Sequence, residues 1–215
     1  MADLEQIADT IREEFERVDD VRDTAYQRSR ELISTCARCI RAIHREEWSE
    51  AEALLQKAKE ATETLVEAVK DYPELYFAGY TQDAVKEFVE ANLTYAFVRD
   101  LPIPGPADIG AEANTWLNGL AEATTELRRR ILDILRHGHS QEVERLLDKM
   151  DEVYSLLVTF DFSDAITRGL RRRTDTVRGV LERTRGDVTN SFRQAELRQA
   201  LAAFEERMAN NQKEA

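Results

Sequence analysis

The chain has 215 residues, of which 42% are hydrophobic and 33% charged, with only 8 glycines and 4 prolines. This composition is typical of a helical protein that can bury a sizeable core. The formal net charge of −12 excludes a general affinity for nucleic acid but leaves room for a local basic patch. No apolar stretch suits a signal peptide or a membrane span, so we expect a cytoplasmic protein without membrane contact.

Apolar residues that recur every three or four positions predict three helices in the first hundred residues. The first covers residues 3–45, and the second runs from a Ser49 cap to about Asp71. Pro73 suits the first turn of the third helix, in which Gly79 predicts a kink or a break. Residues 99–113 hold three of the four prolines and predict the one clear loop.

The second half of the chain follows the same helical pattern. A fourth helix is expected over residues 107–136, a fifth after a Ser140 cap, a sixth over 163–187 and a short last one after Asn190. No stretch shows the alternation that predicts β-strands. The expected fold is therefore all-α, an elongated bundle of about six or seven helices.

The predicted helices are expected to form one domain. That domain covers residues 1–209, and residues 210–215 form a frayed tail.

Cys36 and Cys39 form a C-x-x-C pair in the first helix, with His44 nearby. Such a pair is compatible with a redox or metal site, but no second pair or βαβ pattern accompanies it. Buried thiols in a reducing compartment are the favoured interpretation.

Two pairs of glutamates stand at helical spacing: Glu87 with Glu90, and Glu122 with Glu126. Each pair projects two carboxylates from one helical face, and antiparallel packing of the two helices would bring all four together. Converging carboxylates need a cation, and oxygen-only ligation suits Mg²⁺. The alternative is four solvated acids, because the same spacing recurs at Glu13–Glu16, Glu47–Glu50 and Glu60–Glu63.

Residues 168–185 contain seven arginines and two acids, a net charge of +5 in an acidic protein. Arginine suits bidentate phosphate contacts and stacking on bases. The alternative is a ladder of ion pairs with acids on a neighbouring helix or subunit. The candidate nucleic-acid ligands in this segment are Arg168, Arg171, Arg172, Arg173 and Arg178.

His137 and His139 flank Gly138 where the fourth predicted helix ends. They are compatible with phosphate or metal binding, but solvated histidines at a helix C-terminus are the favoured interpretation.

Several segments, in this order, resemble the translin superfamily: EFVEA at 87–91, WLNGLAEATTELRRR at 116–130, LLDKMDEVYSLLVTFD at 146–161 and LRRRTDTVRGVLERTRGDV at 170–188. The first acid pair is similar to that of the translin-associated factor X branch, which carries the catalytic carboxylates. That branch has Asp and Glu as its second pair, whereas this chain has Glu122 and Glu126. The first acid of the pair is therefore one methylene longer here.

The resemblance implies a Mg²⁺-dependent endoribonuclease, with Mn²⁺ as a substitute. Glu87, Glu90, Glu122 and Glu126 would hold the metal, and the arginine segment would bind single-stranded RNA or single-stranded DNA. It also implies a closed homo-oligomer, an octamer or a hexamer, that acts without a second kind of subunit. The alternatives are a translin-type protein that binds nucleic acid without cutting it, and a helical scaffold whose acids and arginines only pair with each other.

Overall fold

The structure is a computed structural model that describes residues 3–213, and the side chains of residues 211–213 lie outside this description. Within these residues all regular structure is helical, as predicted. None of the described helices has the length and apolarity that crossing a bilayer requires. Six are long and three span four residues: α1 (Leu4–His44), α2 (Trp48–Val69), α3 (Pro73–Tyr76), α4 (Gly79–Arg99), α5 (Pro106–Ile109), α6 (Ala113–Leu135), α7 (Gln141–Leu157), α8 (Asp164–Thr167) and α9 (Leu170–Lys213).

The chain forms two compact units, and the boundary between Leu120 and Ala121 falls inside the continuous helix α6. The prediction of one domain stays a prediction. Of the predicted tail, residues 210–213 continue α9 as helix, and residues 214–215 lie outside the described residues.

In the first unit, α1 packs against α2 and α4, and α2 packs against α4. The inward face of α1 carries Leu32, Cys36, Cys39 and Ile43, spaced three or four residues apart and fully buried. The two cysteines are free thiols, which confirms the buried-thiol interpretation. The first turns of α1 differ, because their apolar residues stay exposed.

Helix α4 is buried on most of its faces, unlike an amphipathic surface helix. Its sequence explains this, since small or apolar residues surround nearly every polar position between Ala84 and Val98. The predicted break near Gly79 is confirmed: α3 ends at Tyr76, and Ala78 is extended before α4 begins. The acids of EFVEA therefore lie on a helix that the fold encloses.

In the second unit, α7 packs against α9 along a row of buried apolar residues. The α7 side of this row contains Val143, Leu146, Met150, Val153 and Leu157, as the sequence periodicity predicts. Ser140 occupies the predicted N-cap position of α7, although its side chain makes no cap hydrogen bond.

Three predicted helix starts are wrong. The fourth predicted helix, expected from residue 107, begins only at Ala113 as α6, after the separate short helix α5. Ser49 lies inside the first turn of α2, whose N-cap is Glu47. Asn190 lies in the middle of α9, which runs on unbroken to Lys213. Both residues have sequence features of an N-cap, but α2 begins one residue before Ser49, and several turns of α9 precede Asn190. The true break comes earlier, where Arg168 and Gly169 adopt positive φ between α8 and α9.

Candidate metal centre and phosphate pocket

Three of the four predicted carboxylates lie together. Glu87, Glu90 and Glu122 each place one carboxylate oxygen so that the three atoms lie within 4.8 Å of one another. An oxygen-only donor set of this size fits a hard divalent cation such as Mg²⁺ or Mn²⁺, and it lacks the nitrogen and sulfur ligands that zinc prefers. The residues present therefore fit the predicted metal.

Helix α4 supplies two of these acids from one face. Glu87 and Glu90 are three residues apart, so both carboxylates project from the same side. Glu90 is 7% exposed, and Glu87 is half-buried. Burying carboxylates is unfavourable unless cations or hydrogen-bond donors compensate them. These two acids thus differ from the solvated Glu60 and Glu63, which share their spacing.

The start of α6 approaches α4 very closely. Thr115 donates a 2.7 Å hydrogen bond to the Gln82 side chain, and a Cβ at Gly119 would lie 2.6 Å from Val89 Cγ1. Only glycine permits this backbone approach. Glu122 follows three residues later on the same unbroken helix, so it shares a helical face with Gly119.

Lys86 is a buried cation beside the acids. Its Nζ lies 3.0 Å from Glu87 Oε1, and its side chain is only 10% exposed. A lysine is almost never buried this deeply unless it is paired with an acid. Its ammonium group therefore compensates part of the charge that the three carboxylates concentrate here.

Arg173, near the start of α9, forms an ion pair with Glu122. Arg173 Nε lies 3.0 Å from Glu122 Oε1, and both side chains are under one third exposed. The pair borders a cavity of about 360 Å³ that is also lined by Arg172 and by the hydroxyl side chains of Thr125 and Thr176. The two guanidinium groups are donors that suit a phosphate group, whereas the two hydroxyls donate to backbone carbonyls of their own helices.

The fourth predicted ligand, Glu126, does not belong to the group of three. It lies one helical turn beyond Glu122, and its carboxylate is 4.0 Å from Arg129 of the same helix. Glu122 and Glu126 therefore share a helical face, but only Glu122 places a carboxylate oxygen in the group of three.

The remaining predicted arginines lie elsewhere along α9. Arg171 lines a separate cavity together with Asp161, Asp164 and Asp175. Arg178 pairs with Asp175 at 3.6 Å, and Arg168 occupies the left-handed turn before α9. Of the five candidates, Arg172 and Arg173 are the two that line the cavity containing Glu122.

The cysteines of α1 are buried in the first unit and are close enough to the acids to be influenced by them. Burial raises the pKa of the Cys36 thiol far above its ordinary value, and the charges of Cys39, Glu87 and Glu90 raise it further. Burial also raises the pKa of Cys39 to about 12. Both thiols therefore stay protonated at neutral pH and are poor nucleophiles or metal ligands.

The histidine interpretation is correct for one residue and wrong for the other. His137 is exposed. His139 is mostly buried, with Nε2 2.9 Å from Glu144 Oε1 and its ring packed edge-on against Phe192. The left-handed Gly138 turns the chain so that the two neighbouring side chains have different surroundings.

Lys86 is a residue of the site that was not predicted from the sequence. The signal for it was present, because Val89, Glu90 and Leu93 lie three, four and seven residues further along and form a buried face with it. The pairing of Glu122 with Arg173 carried no such signal, since the two residues are 51 positions apart.

No protein-family model matches the chain. The chain is 32% identical over 186 residues to the uncharacterized protein MJ0175 of Methanocaldococcus jannaschii. The matched region covers 85% of this chain and 82% of that protein.

Two crystallographic relatives share the fold. AfC3PO, solved by itself and as a complex with duplex RNA, matches with a TM-score of 0.81 and 33% identity over 88% of this chain and 98% of its own. Apo-NeC3PO matches with a TM-score of 0.80 over 89% of this chain and 100% of its own. Its 19% identity supports the fold alone.

Proposed function

Because this chain belongs to the translin superfamily, we propose that it is an RNA-binding protein that hydrolyses RNA phosphodiester bonds with the help of a divalent cation. The observation that carries this proposal is the convergence of Glu87, Glu90 and Glu122 within 4.8 Å. A protein that only bound nucleic acid would have no use for three converging, partly buried acids, because such a cluster repels phosphate.

The three carboxylates would hold Mg²⁺, with Mn²⁺ as a substitute, through oxygen atoms alone. When bound, such a cation supplies Lewis acidity and lowers the pKa of water, which are the two requirements of phosphodiester hydrolysis. Lys86 orients Glu87 through their 3.0 Å contact. Arg172 and Arg173 present guanidinium groups to the cavity beside Glu122, where they can bind a backbone phosphate.

RNA is the proposed polymer, with single strands as the substrate that is cut. The relative AfC3PO was solved with duplex RNA, so both strand forms belong in the test. Arginine-rich surfaces bind phosphates irrespective of sequence and lose affinity as salt is added. Binding of this kind is compatible with the charge of −12, because the arginines are concentrated in one segment.

The protein is also proposed to act as a homo-oligomer, an octamer or a hexamer. Apolar side chains that a monomer would leave in water support self-association. In the first unit they are Leu4, Ile7, Ile11 and Phe15 of α1, and in the second they are Leu197, Leu201, Phe204 and Met208 of α9. Each set repeats every three or four residues, as at a helix–helix seam.

The proposal is tested with labelled single-stranded and duplex RNA, with Mg²⁺, with Mn²⁺ and with EDTA. Cleavage is expected only with a cation, and the double substitution Glu87→Gln with Glu90→Gln is expected to abolish it while the protein still binds RNA. The matched control is Glu60→Gln with Glu63→Gln, an exposed pair of the same spacing. Full cleavage by the first variant, or cutting in EDTA, would contradict the proposal.

Glu126→Gln separates the three-acid centre from the four-acid centre. Because Glu126 lies outside the group of three, its substitution is expected to change Mn²⁺ affinity less than about twofold. Glu122→Gln is expected to lower the Mn²⁺ affinity about tenfold or more, since it removes a charged ligand.

RNA binding without cleavage under every condition would instead favour a translin-type binding protein.

A further inference from the structure

We propose that Arg173 is an exchangeable counter-ion, which pairs with Glu122 while the centre lacks a cation and turns to the RNA phosphate once the cation is bound. This inference rests on the proposed function and assigns a positioning role to one residue of that site. It makes cation binding and RNA binding mutually dependent.

The charges at the centre support this role. The carboxylates of Glu87, Glu90 and Glu122 lie within 4.8 Å of one another, and like charges at this spacing repel strongly when partly buried. Lys86 contacts Glu87 and Arg173 contacts Glu122, each at 3.0 Å. These two cations leave the five side chains with a formal charge of −1, so the cluster is tolerable without metal.

The two cations differ in how freely they can move. The Lys86 side chain is 10% exposed on an enclosed helix, whereas the Arg173 side chain is 29% exposed at the edge of the 360 Å³ cavity. A divalent cation at the acids would repel both groups. Arg173 can respond by rotating into the cavity, and Lys86 is held in place by the packing around α4.

The cavity shows what Arg173 would meet after this rotation. Arg172 lines the same space, and Thr125 and Thr176 add hydroxyl groups. A phosphate there would receive charge-assisted hydrogen bonds from two guanidinium groups, which are stronger than bonds between neutral groups. Once a cation is bound, Arg173 would thus exchange its contact with Glu122 for a contact with the phosphate.

Calorimetric titration of Mn²⁺ into the full-length, metal-free protein without RNA tests the first half of the exchange. Arg173→Ala removes the competing cation, so Mn²⁺ affinity is expected to rise about two- to fivefold, the range of a partly exposed ion pair. Arg172→Ala, the matched control from the same cavity, is expected to leave Mn²⁺ affinity unchanged. Arg173→Lys keeps a competing charge and is expected to return the affinity toward the original value.

RNA binding, measured by stopped-flow anisotropy before cleavage, tests the second half. Without a cation, Arg172→Ala is expected to weaken binding and Arg173→Ala to change it little, because Arg173 is then held by Glu122. With Mn²⁺, both variants are expected to lose about tenfold in affinity, the value of a hydrogen bond to a charged group. Mn²⁺ is therefore expected to tighten RNA binding less in the Arg173→Ala variant than in the unmodified protein.

Equal Mn²⁺ affinities for Arg173→Ala, Arg172→Ala and the unmodified protein would overturn the exchange. If the unmodified protein nevertheless binds Mn²⁺ and cuts RNA, the proposed function stands without this inference. If the unmodified protein neither binds Mn²⁺ nor cuts RNA, both fail. Circular dichroism of each variant establishes that it is folded, and Arg173→Gln serves as a second variant that lacks the charge.

Discussion

The carboxylate of Glu122 belongs both to the group of three acids and to an ion pair with Arg173. The family pattern has the shorter aspartate at this position, and the extra methylene gives the glutamate more reach. Under the proposed function, Glu122 would therefore be a metal ligand and would also hold the arginine that binds phosphate. The sequence predicts Glu122 as a candidate acid. Its closeness to the other two acids and its ion pair with Arg173 are seen only in the folded structure.

The buried thiols of α1 lead to a prediction about pH. Because the folded pKa of both Cys36 and Cys39 is raised above the ordinary value of 9.0, the folded state binds these protons more tightly than the unfolded state. The resulting stabilisation is complete below pH 9 and is lost as the pH rises toward about 12, the pKa of Cys39. Denaturant unfolding between pH 8 and pH 10 is expected to show the beginning of this loss.

The control is the variant Cys36→Ala with Cys39→Ala, whose free energy of unfolding should fall less steeply over the same pH range. In the native protein at pH 8, both thiols are also expected to resist iodoacetamide and to react only after unfolding. Rapid alkylation of the native protein would show that the thiols are not buried as described.

At the scale of the element, the packing of α6 on α4 depends on one glycine. Gly119 interrupts a good helix-forming stretch, and helix propensity alone would favour alanine there. A Cβ would lie 2.6 Å and 2.8 Å from Val89 atoms and 3.1 Å from the Lys86 carbonyl oxygen. Close backbone approach therefore outweighs propensity at this position.

Gly119→Ala is expected to lower the free energy of unfolding by about 1–3 kcal/mol, because overpacking shifts the backbone of one helix. Gly186→Ala is the matched control, since Gly186 lies in α9 and a Cβ added there would have no neighbouring atom within 4 Å. That change is expected to stabilise the protein by about 0.5–1 kcal/mol through helix propensity. Urea unfolding measures both, and a neutral Gly119→Ala would contradict the close approach.

Element boundaries show how far helix signals in the sequence can be trusted. Gly79 lies at the predicted break, where α4 begins. Ser163 is an N-cap as predicted and accepts a hydrogen bond from the Ala165 amide, but its helix ends at Thr167 instead of running to residue 187. Ser49 and Asn190 carry equally good N-cap side chains but lie within helices. Capping contributes only about 1 kcal/mol, and a helix that has already formed continues past such a residue readily, because each added residue contributes one more backbone hydrogen bond.

At the scale of the whole molecule, the exposed apolar residues bear on assembly. Leu197, Leu201, Phe204 and Met208 follow spacings of four, three and four along α9, and each is roughly half exposed. This is the heptad pattern of a helix that packs against another helix. The exposed residues at the start of α1 show a related spacing in the first unit.

Leu201→Glu is expected to reduce the oligomeric state, because it places a charge in the apolar seam. Gln199→Glu adds the same charge two residues away, off that seam, and is expected to leave assembly unchanged. Size-exclusion chromatography with light scattering gives the molar mass of each variant. If Leu201→Glu forms the same assembly as the unmodified protein, the α9 face does not hold the oligomer together.

The sequence by itself determined the helical class, the inward faces of the long helices and the candidate acids, because each depends on residues three or four positions apart. It also indicated the arginine segment, since local charge needs no partner to be recognised. Only the tertiary structure decided that Glu87, Glu90 and Glu122 meet while Glu126 does not, and that Arg173 pairs with Glu122. Those outcomes depend on contacts between residues 32 or more positions apart in the chain, which no local pattern encodes.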